Sequence, residues 1–491
     1  MKTPNVLFIC ADEHTRGALP CYGSPFIKAP NLERLAGRGT RFAAAYTTSP
    51  LCVPGRASMI SGRYVHEIGA WDNGHPYRGV PSGWAHRLRE RGYHTVSIGK
   101  NHYRSIEDDN GFAEELLPMH VRWGIGDLYG MLREEAPYPN PKSEGGSVVF
   151  GPAMMAEIAG PGETNHTAYD RRIAKVARNW LRQEASRRGS DPWALYVSFV
   201  APHFPLVAPR EFYELYPHDR IPWPTHYEAT ERSRHPVIQA LMRVWNYDDF
   251  FDTAKVLRAR AGYYGLISFL DHNIGRILTT LEGIGQLDDT CILYTSDHGE
   301  MLGNKGIWST SALYEDSAGV PMIMAGPGVP SGRTAATPVS HVDLFPTLAD
   351  IGRAAEDGDR GMPGRSLLQS AAADEPERVV FSEYHAGGSI TGCYMLRRGR
   401  WKYMYYVGYA PELYDLAADP TEGKDFGQDP AYAEIRKACE AELRKIVDPE
   451  AANARALADQ AATIERHGGV DAVRRRGHPG EHSLDRRLGI E

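Results

Sequence analysis

Cys291-Ile292-Leu293-Tyr294-Thr295-Ser296-Asp297-His298-Gly299 is an apolar, strand-like run that breaks abruptly into polar residues. Ahead of it, within Thr253–Glu282, the residues Leu257, Ala261, Tyr264, Ile267, Leu270, Ile274, Ile277 and Leu281 recur at steps of three or four, which predicts a long amphipathic helix. The same alternation extends outward. Further strands are predicted at Asn5–Ala11, His94–Ile98, Trp193–Val200 and Pro321–Ala325. Further helices are predicted at Asn31–Ala36, with Pro30 at the first helical position, and at Tyr169–Leu181. Strands of this kind alternating with amphipathic helices define an α/β protein with a largely parallel, buried sheet.

The 491 residues are 42% hydrophobic and 24% charged, enough for a large core, and the net charge is -7. No basic excess points to nucleic acid, and no Lys/Arg block marks a membrane surface. The apolar run Val6–Ala11 is too short for a signal peptide core, and no stretch reaches transmembrane length. Six cysteines without CxxC spacing argue against a disulfide framework or a zinc ribbon. A cytoplasmic protein is expected. Pro137–Pro152 and Pro202–Pro224 are expected to be long loops. The turn to Gly, Ala, Asp and Glu around Gly358–Pro376 marks a boundary, so residues 1–370 are expected as the catalytic domain. Short strands at Arg378–Tyr384 and Gly392–Tyr406 and a helix near Ala431–Ile446 give a smaller α+β subdomain over 371–448. Residues 449–491 carry many charges and few large apolar side chains. They are expected as a tail on the surface or on a second subunit of a homo-oligomer, with Arg474–Arg476 and His478–His482 poor at folding alone.

In an open α/β sheet, ligands gather at the carboxyl ends of the strands. Four strands here end on polar residues: Asp12-Glu13, Lys100 followed by His102, His203, and Asp297-His298. A single such Asp is often a turn residue and a lone His is often structural. Together they offer oxygen ligands for a divalent cation and cationic donors for an anion, a combination suited to hydrolysis of a charged ester. A fifth element is Leu51-Cys52-Val53-Pro54-Gly55-Arg56-Ala57-Ser58. Pro54 and Gly62 bracket a short helix, Pro54–Ser61, placing Cys52 just before a helix N-terminus that favours an anion. Arg56, four residues on, could reach back to the same place. The alternative is an inert buried Cys beside a surface Arg.

With these five elements, residues 4–447 resemble the sulfatase family of the alkaline phosphatase superfamily. Cys52-Val53-Pro54-Gly55-Arg56 matches the family's CxPxR core and Gly62-Arg63 continues it. Gly99-Lys100-Asn101-His102 resembles its GKxH, Ala201-Pro202-His203-Phe204-Pro205 its PHxP, and Ser296–Gly303 its DHGxxLG. Glu412-Leu413-Tyr414-Asp415-Leu416 with Asp419-Pro420 resembles the ELYDLxxDP of its C-terminal subdomain. Asp297-His298, Trp71-Asp72-Asn73 and Ser382-Glu383-Tyr384-His385 are most similar to the choline-sulfatase and phosphonate monoester hydrolase branch.

The resemblance implies an alkaline-phosphatase-like fold: a large mixed, mostly parallel sheet flanked by helices, with a smaller C-terminal subdomain. It implies hydrolysis of a small sulfate monoester by formylglycine, made from Cys52 by a formylglycine-generating enzyme. One hydroxyl of the aldehyde hydrate attacks sulfur, and the other later expels the sulfate. One divalent cation (Ca²⁺, Mn²⁺ or Mg²⁺) is implied, held by Asp12, Asp297, His298 and the modified Cys52. By the same resemblance Arg56 steadies the hydrate, Lys100 contacts a sulfate oxygen, His102 contacts the hydroxyls and His203 protonates the leaving alcohol. Asn73 contacts a substrate oxygen, and Glu383 is placed to meet a quaternary ammonium, or else is an exposed strand-end carboxylate.

Two departures stand out. Glu13 replaces the family's usual Asp, Asn or Gln and is expected as a further ligand, with a turn residue as the alternative. The lysine that commonly follows the DHG histidine by twelve residues is Thr310 here. Thr310 is expected to contact the anion through a neutral hydroxyl, with Lys305 left as a solvated loop residue. A phosphonate monoester or phosphodiester hydrolase with the same site is the alternative enzyme, and an inactive sulfatase-fold binding protein the alternative outside catalysis.

Overall fold

The computed structural model describes residues 3–134, 151–189 and 191–477. The expected loop Pro137–Pro152, up to residue 150, and the segment His478–His482 lie outside these residues. An eight-stranded sheet forms the centre. Its strands are β1 (Asn5–Asp12), β2 (Gly39–Phe42), β3 (His94–Lys100), β4 (Glu114–Met119), β5 (Trp193–Pro202), β6 (Thr290–Ser296), β7 (Met322–Ala325) and β8 (Arg333–Ala335), in the spatial order β8-β2-β7-β6-β1-β5-β3-β4. The run β6-β1-β5-β3-β4 is parallel throughout, and β7 is antiparallel to both β6 and β2, so the sheet is mixed but mostly parallel.

β1 is buried along its whole length. Leu7, Ile9 and Ala11 face one core, and Val6, Phe8 and Cys10 face a second core on the opposite side. A strand covered on both faces needs a continuous apolar run rather than alternation, which is why its sequence has no polar face. Helices supply the cover: α1 (Pro30–Arg38), α2 (Cys52–Ser61), α3 (Asn165–Gln183) and α4 (Thr253–Gly283). α3 and α4 present Ile173, Leu266, Ile274 and Leu281 to the first core, and α2 presents Ala57 and Ile60 to the second. Thr164 caps α3 by accepting from the Thr167 amide, and Asp252 caps α4 by accepting from the Lys255 amide.

A separate antiparallel sheet follows, with β9 (Val380–Tyr384), β10 (Cys393–Arg398), β11 (Trp401–Tyr406) and β12 (Glu412–Asp415) in sequential order. α5 (Ala433–Ile446) packs Cys439 and Leu443 against Phe381, Leu396 and Leu413 of this sheet. Beyond it the chain differs from the expected surface tail. α6 (Pro449–Arg466) and α7 (Val470–Arg476) are regular helices seated on their own chain. α6 buries Ala452, Ala456, Gln460, Thr463 and Ile464, a helical stripe of mostly small or polar residues. A count of large apolar residues is blind to such a stripe. Among the described residues, no helix is long and apolar enough to cross a membrane.

Candidate active site

Four neighbouring parallel strands, β6, β1, β5 and β3, deliver their carboxyl ends to one place. Asp12 closes β1, Lys100 closes β3, His203 follows β5, and Asp297 and His298 follow β6. α2 enters from the same end of the sheet. Leu51 before it is extended, and Gly62 ends it in the left-handed region at φ 67°. The helix begins at Cys52, two residues before the expected start at Pro54. The Val53 amide, a first-turn donor without a partner inside the helix, donates to Asn73 Oδ1 at 3.1 Å, which permits the earlier start.

One ligand atom each from Asp12, Cys52, Asp297 and His298 lies within 4.8 Å of the others, all buried. His298 Nε2 is 3.2 Å from Cys52 Sγ and 3.8 Å from both Asp12 Oδ1 and Asp297 Oδ1. Its Nδ1 is 3.0 Å from the Gly299 carbonyl, which orients the ring. The second oxygens point outward to cations. Arg56 Nε donates to Asp297 Oδ2 at 2.7 Å, and Lys100 Nζ pairs with Asp12 Oδ2. Arg56 also donates to the Lys100 carbonyl at 2.5 Å and to Ser198 Oγ at 2.8 Å. Each carboxylate thus turns its other oxygen into the shared space, and that of Asp297 also accepts from the Glu13 and His298 amides at 3.1 and 2.9 Å. That donor set suits a divalent cation with a preference for oxygen ligands.

The electrostatics follow this geometry. Burial opposes the charge on Asp12, but Lys100, Arg56 and His298 outweigh it and hold the carboxyl below its usual range. Burial opposes Lys100 in the same way, and Asp12 and the Cys52 position raise its pKa overall. Burial, then Asp12, pushes the Cys52 thiol well above its ordinary value, and a thiol held neutral is a weak nucleophile. Burial, then Lys100 and His166, holds His203 well below the usual imidazole value. Glu13 is pushed well up by burial and then by Glu300, itself pushed up by burial to about 7.

Glu13 stands at the edge of the ligand group rather than in it. Its Oε1 accepts from Ser309 Oγ at 2.6 Å, and its Oε2 is 3.9 Å from His203 Nε2. His203 Nδ1 is 2.6 Å from the Phe204 carbonyl. Glu13, His102, Ser309 and Ser311 all line the cavity and all hold a positive φ, at 66°, 59°, 60° and 80°. Four non-glycine residues in that sparsely populated region around one cavity are local strain held by the surrounding fold.

The cavity above this floor, about 110 Å³, reaches Cys52, Asn73, His102, His203, His298 and Thr310. Thr310 reaches the cavity wall, but its hydroxyl lies against the Pro50 carbonyl and 3.1 Å from Ser317 Oγ. Lys305 is not the solvated residue expected. It is buried, donates to the Glu422 carbonyl at 2.6 Å, and lies 4.7 Å from the centre of the Tyr314 ring. A loop lysine carries no sequence signal of such a carbonyl partner. Glu383 also departs from both expected placements. It is fully buried and accepts from the His66 amide at 3.0 Å, with His66 Nδ1 at 2.8 Å and His385 Nε2 at 3.0 Å. Its neighbours Tyr384 and Ala386 line the cavity instead, because adjacent strand residues face opposite sides.

Sequence reasoning did not pick out the aromatic wall formed by Phe204, Trp245, Tyr247 and Tyr384, nor Glu300 beside Glu13. Phe204, Tyr384 and Glu300 stand inside motifs whose His203, Glu383 and His298 drew the reading, and Trp245 and Tyr247 stand in no motif. Glu300 was quoted within its motif and could have been weighed as a partner for Glu13.

Residues 4–353 match the family model described as Sulfatase, and residues 303–448 match that described as N-sulphoglucosamine sulphohydrolase, C-terminal. The choline-sulfatase of Rhizobium meliloti (strain 1021) is 36% identical over 437 residues, covering 87% of this chain and 83% of that protein. Arylsulfatase K of Homo sapiens is 30% identical over 450 residues, covering 86% of this chain and 78% of that protein. Among solved structures, the phosphonate monoester hydrolase of Agrobacterium radiobacter has a TM-score of 0.73 at 24% identity, covering 90% of this chain and 95% of that one.

Proposed function

Because the chain belongs to the sulfatase family, we propose that it hydrolyses a small sulfate monoester with a formylglycine made from Cys52 and one divalent cation. The observation that carries this reading is the buried cluster of Asp12, Cys52, Asp297 and His298 at the floor of a cavity. Asp12, Asp297, His298 and residue 52 would hold the cation, with Glu13 as an outer partner. When bound, the cation neutralises ester oxygens and acidifies the hydrated aldehyde, which supplies the nucleophile.

The remaining work falls to the chain's own residues. Arg56 fixes Asp297 and, through the Lys100 carbonyl, the end of β3. Lys100 lies 3.8 Å from Cys52 Sγ and brings positive charge to the sulfate side. His203 Nε2 is the ring atom left to meet the departing alcohol, since Nδ1 donates to the Phe204 carbonyl, and it hands on a proton only while the ring is an imidazolium. His102 lines the same cavity, and Asn73 joins the substrate wall to the first turn of α2. Thr310 contributes surface rather than a charged contact. The aromatic wall suits an apolar or aromatic alcohol, and with Glu383 turned away a cationic alcohol would be met by ring faces.

Free cysteines throughout support a reducing compartment such as the cytoplasm. A homo-oligomer belongs to the same reading, with Trp123, Leu457 and Val470 as exposed apolar residues for the contact. Sedimentation of the purified chain measures it.

The test is made on protein co-expressed with a formylglycine-generating enzyme. Peptide mass spectrometry should find Cys52 converted, elemental analysis should find a stoichiometric divalent metal, and 4-nitrophenyl sulfate should be turned over. An unmodified Cys52 in that protein sinks the mechanism and favours a binding role. A second reading, phosphonate monoester hydrolysis, is favoured by the fold shared with the Agrobacterium radiobacter enzyme. The ratio of kcat/KM on matched aryl sulfate and aryl phosphonate esters separates the two.

A further inference from the structure

The side-chain amide of Gln460, near the middle of α6, is buried at 2% exposure and commits both of its N–H groups and its carbonyl oxygen to segments around the pocket. Its Nε2 donates to Asp72 Oδ2 at 2.8 Å and to the His385 carbonyl at 2.8 Å. Its Oε1 accepts from Arg133 Nε at 2.8 Å. Those three partners lead into three separate segments around the cavity. Asp72 precedes Asn73 and holds the turn after it, its Oδ1 accepting from the Gly74 amide at 2.9 Å with His75 Nδ1 at 2.9 Å. His385 precedes Ala386 and Gly387, which line the cavity. Arg133 closes the strap 122–132, whose Gly126 and Gly130 line it from a third side. The strap is also anchored to the C-terminal helices through Leu128 and Met131 packed against Ile464 and Val473.

The segments meet tightly. The Asp127 amide donates to the Asn73 carbonyl at 3.2 Å, and Gly126 at φ 78° leaves no room for a side chain, since a Cβ would lie 1.9 Å from that same carbonyl. Asn73 in turn accepts from the Val53 amide beside Cys52. Along α6, Trp71 Nε1 donates to Asp459 Oδ2 at 2.8 Å and Thr463 Oγ1 lies 3.1 Å from His75 Nε2, so the helix grips the 71–75 segment at three points. None of these contacts ties α6 to the floor pairs Arg56–Asp297 and Lys100–Asp12.

We propose that Gln460 is a positioning residue that sets the alcohol-binding walls of the pocket relative to one another, and that α6, past the last residue matched by either family model, is a working part of the active site. This rests on the reading of the cavity as the ester site. A buried amide with every donor and acceptor engaged leaves several partners unsatisfied when it is removed, so the walls shift to recover their bonds. The floor, held by its own ion pairs, stays in place.

The experiment compares wild type with Gln460→Met, which keeps length and removes all three bonds, in the full chain carrying formylglycine and metal. KM for 4-nitrophenyl sulfate and for a bulkier naphthyl sulfate is expected to rise about tenfold, unequally for the two alcohols. The inhibition constant of inorganic sulfate, which carries no alcohol, and the formylglycine and metal content are expected to stay unchanged. A KM equal to that of wild type overturns the proposal. So does an equal rise in KM and in the sulfate inhibition constant, which marks general loosening. If Gln460→Met does not fold, Thr463→Val removes the one bond that joins Thr463 to the 71–75 segment, along with its bonds to the Asp459 carbonyl and to Arg466 within the helix. It should raise KM about threefold with sulfate inhibition intact, and no change there also overturns the proposal. Wild-type turnover judges the sulfatase reading, whereas the variant-to-wild-type ratios judge the role of Gln460 on whichever ester, sulfate or phosphonate, the wild type accepts.

Discussion

On the floor of the pocket, every charged side chain sits at the end of a strand or in the first turns of α2, and its partners are other floor residues: Asp12 with Lys100, Asp297 with Arg56, His298 with Cys52. The walls are built from distant segments, 72–74, 126–130 and 384–387, that touch one another and are tied together by Gln460 and the C-terminal helices. The floor therefore depends on the sheet, which forms with the core. The walls depend on side-chain bonds between segments hundreds of residues apart. Damage to the floor should strike chemistry and stability together, while damage to the walls should alter selectivity and leave the chemistry running.

The sharpest way to break that contrast is Asp297→Asn. It strips Arg56 of its only carboxylate partner among the described residues and removes one of the four candidate metal ligands. Loss of activity by at least about a thousandfold is expected, with about 3–5 kcal/mol of stability lost because a buried guanidinium is left uncompensated. Denaturant unfolding and elemental analysis read both effects, and an active, metal-loaded variant would end the argument. Next in size is His203→Ala. Esters with basic leaving groups should lose about a hundredfold or more in kcat/KM, and activated aryl esters much less. Equal losses across a leaving-group series would remove His203 from proton delivery.

A third test addresses the supporting layer. Burial raises Glu383, but His66 and His385 outweigh it and bring its pKa to about 2 from 4.5. A depressed carboxylate stabilises the fold above its unfolded pKa and loses that contribution as pH falls through the folded one. Glu383→Gln should therefore lower stability by about 2–3 kcal/mol at neutral pH, and the gap to wild type should close between pH 4.5 and 2. A gap independent of pH would show that the charge is not what matters. The smallest effect is expected for Lys305→Met, a loss of about 1 kcal/mol from the bond to the Glu422 carbonyl with kinetics unchanged. A fall in kcat/KM would return Lys305 to the anion site.

The same contrast explains what could be read from the sequence. Asp12, Lys100, His203, Asp297 and His298 were legible because a buried parallel strand is an unbroken apolar run, so a charge at its end stands out, and because parallel strands deliver those ends to one edge. Cys52 and Arg56 were legible as a first-turn pair on one helix face. Glu383 and Lys305 were misplaced because each sits where local pattern permits either exposure or burial, and the choice was made by a partner far along the chain: His66 for one, the Glu422 carbonyl for the other. α6 was passed over because its buried stripe is alanine, glutamine and threonine, residues whose value lies in close approach and hydrogen bonds rather than in apolar area.

Cys52 is only 4% exposed in the folded chain, so on the formylglycine reading proposed above its conversion would have to come before α2 docks beneath the sheet edge. Some 414 residues separate Cys52 from Arg466 at the end of α6. At ribosomal speed that interval is about 20–80 s, and on the same reading it is the longest time the nascent chain would have for conversion before its last helices are made.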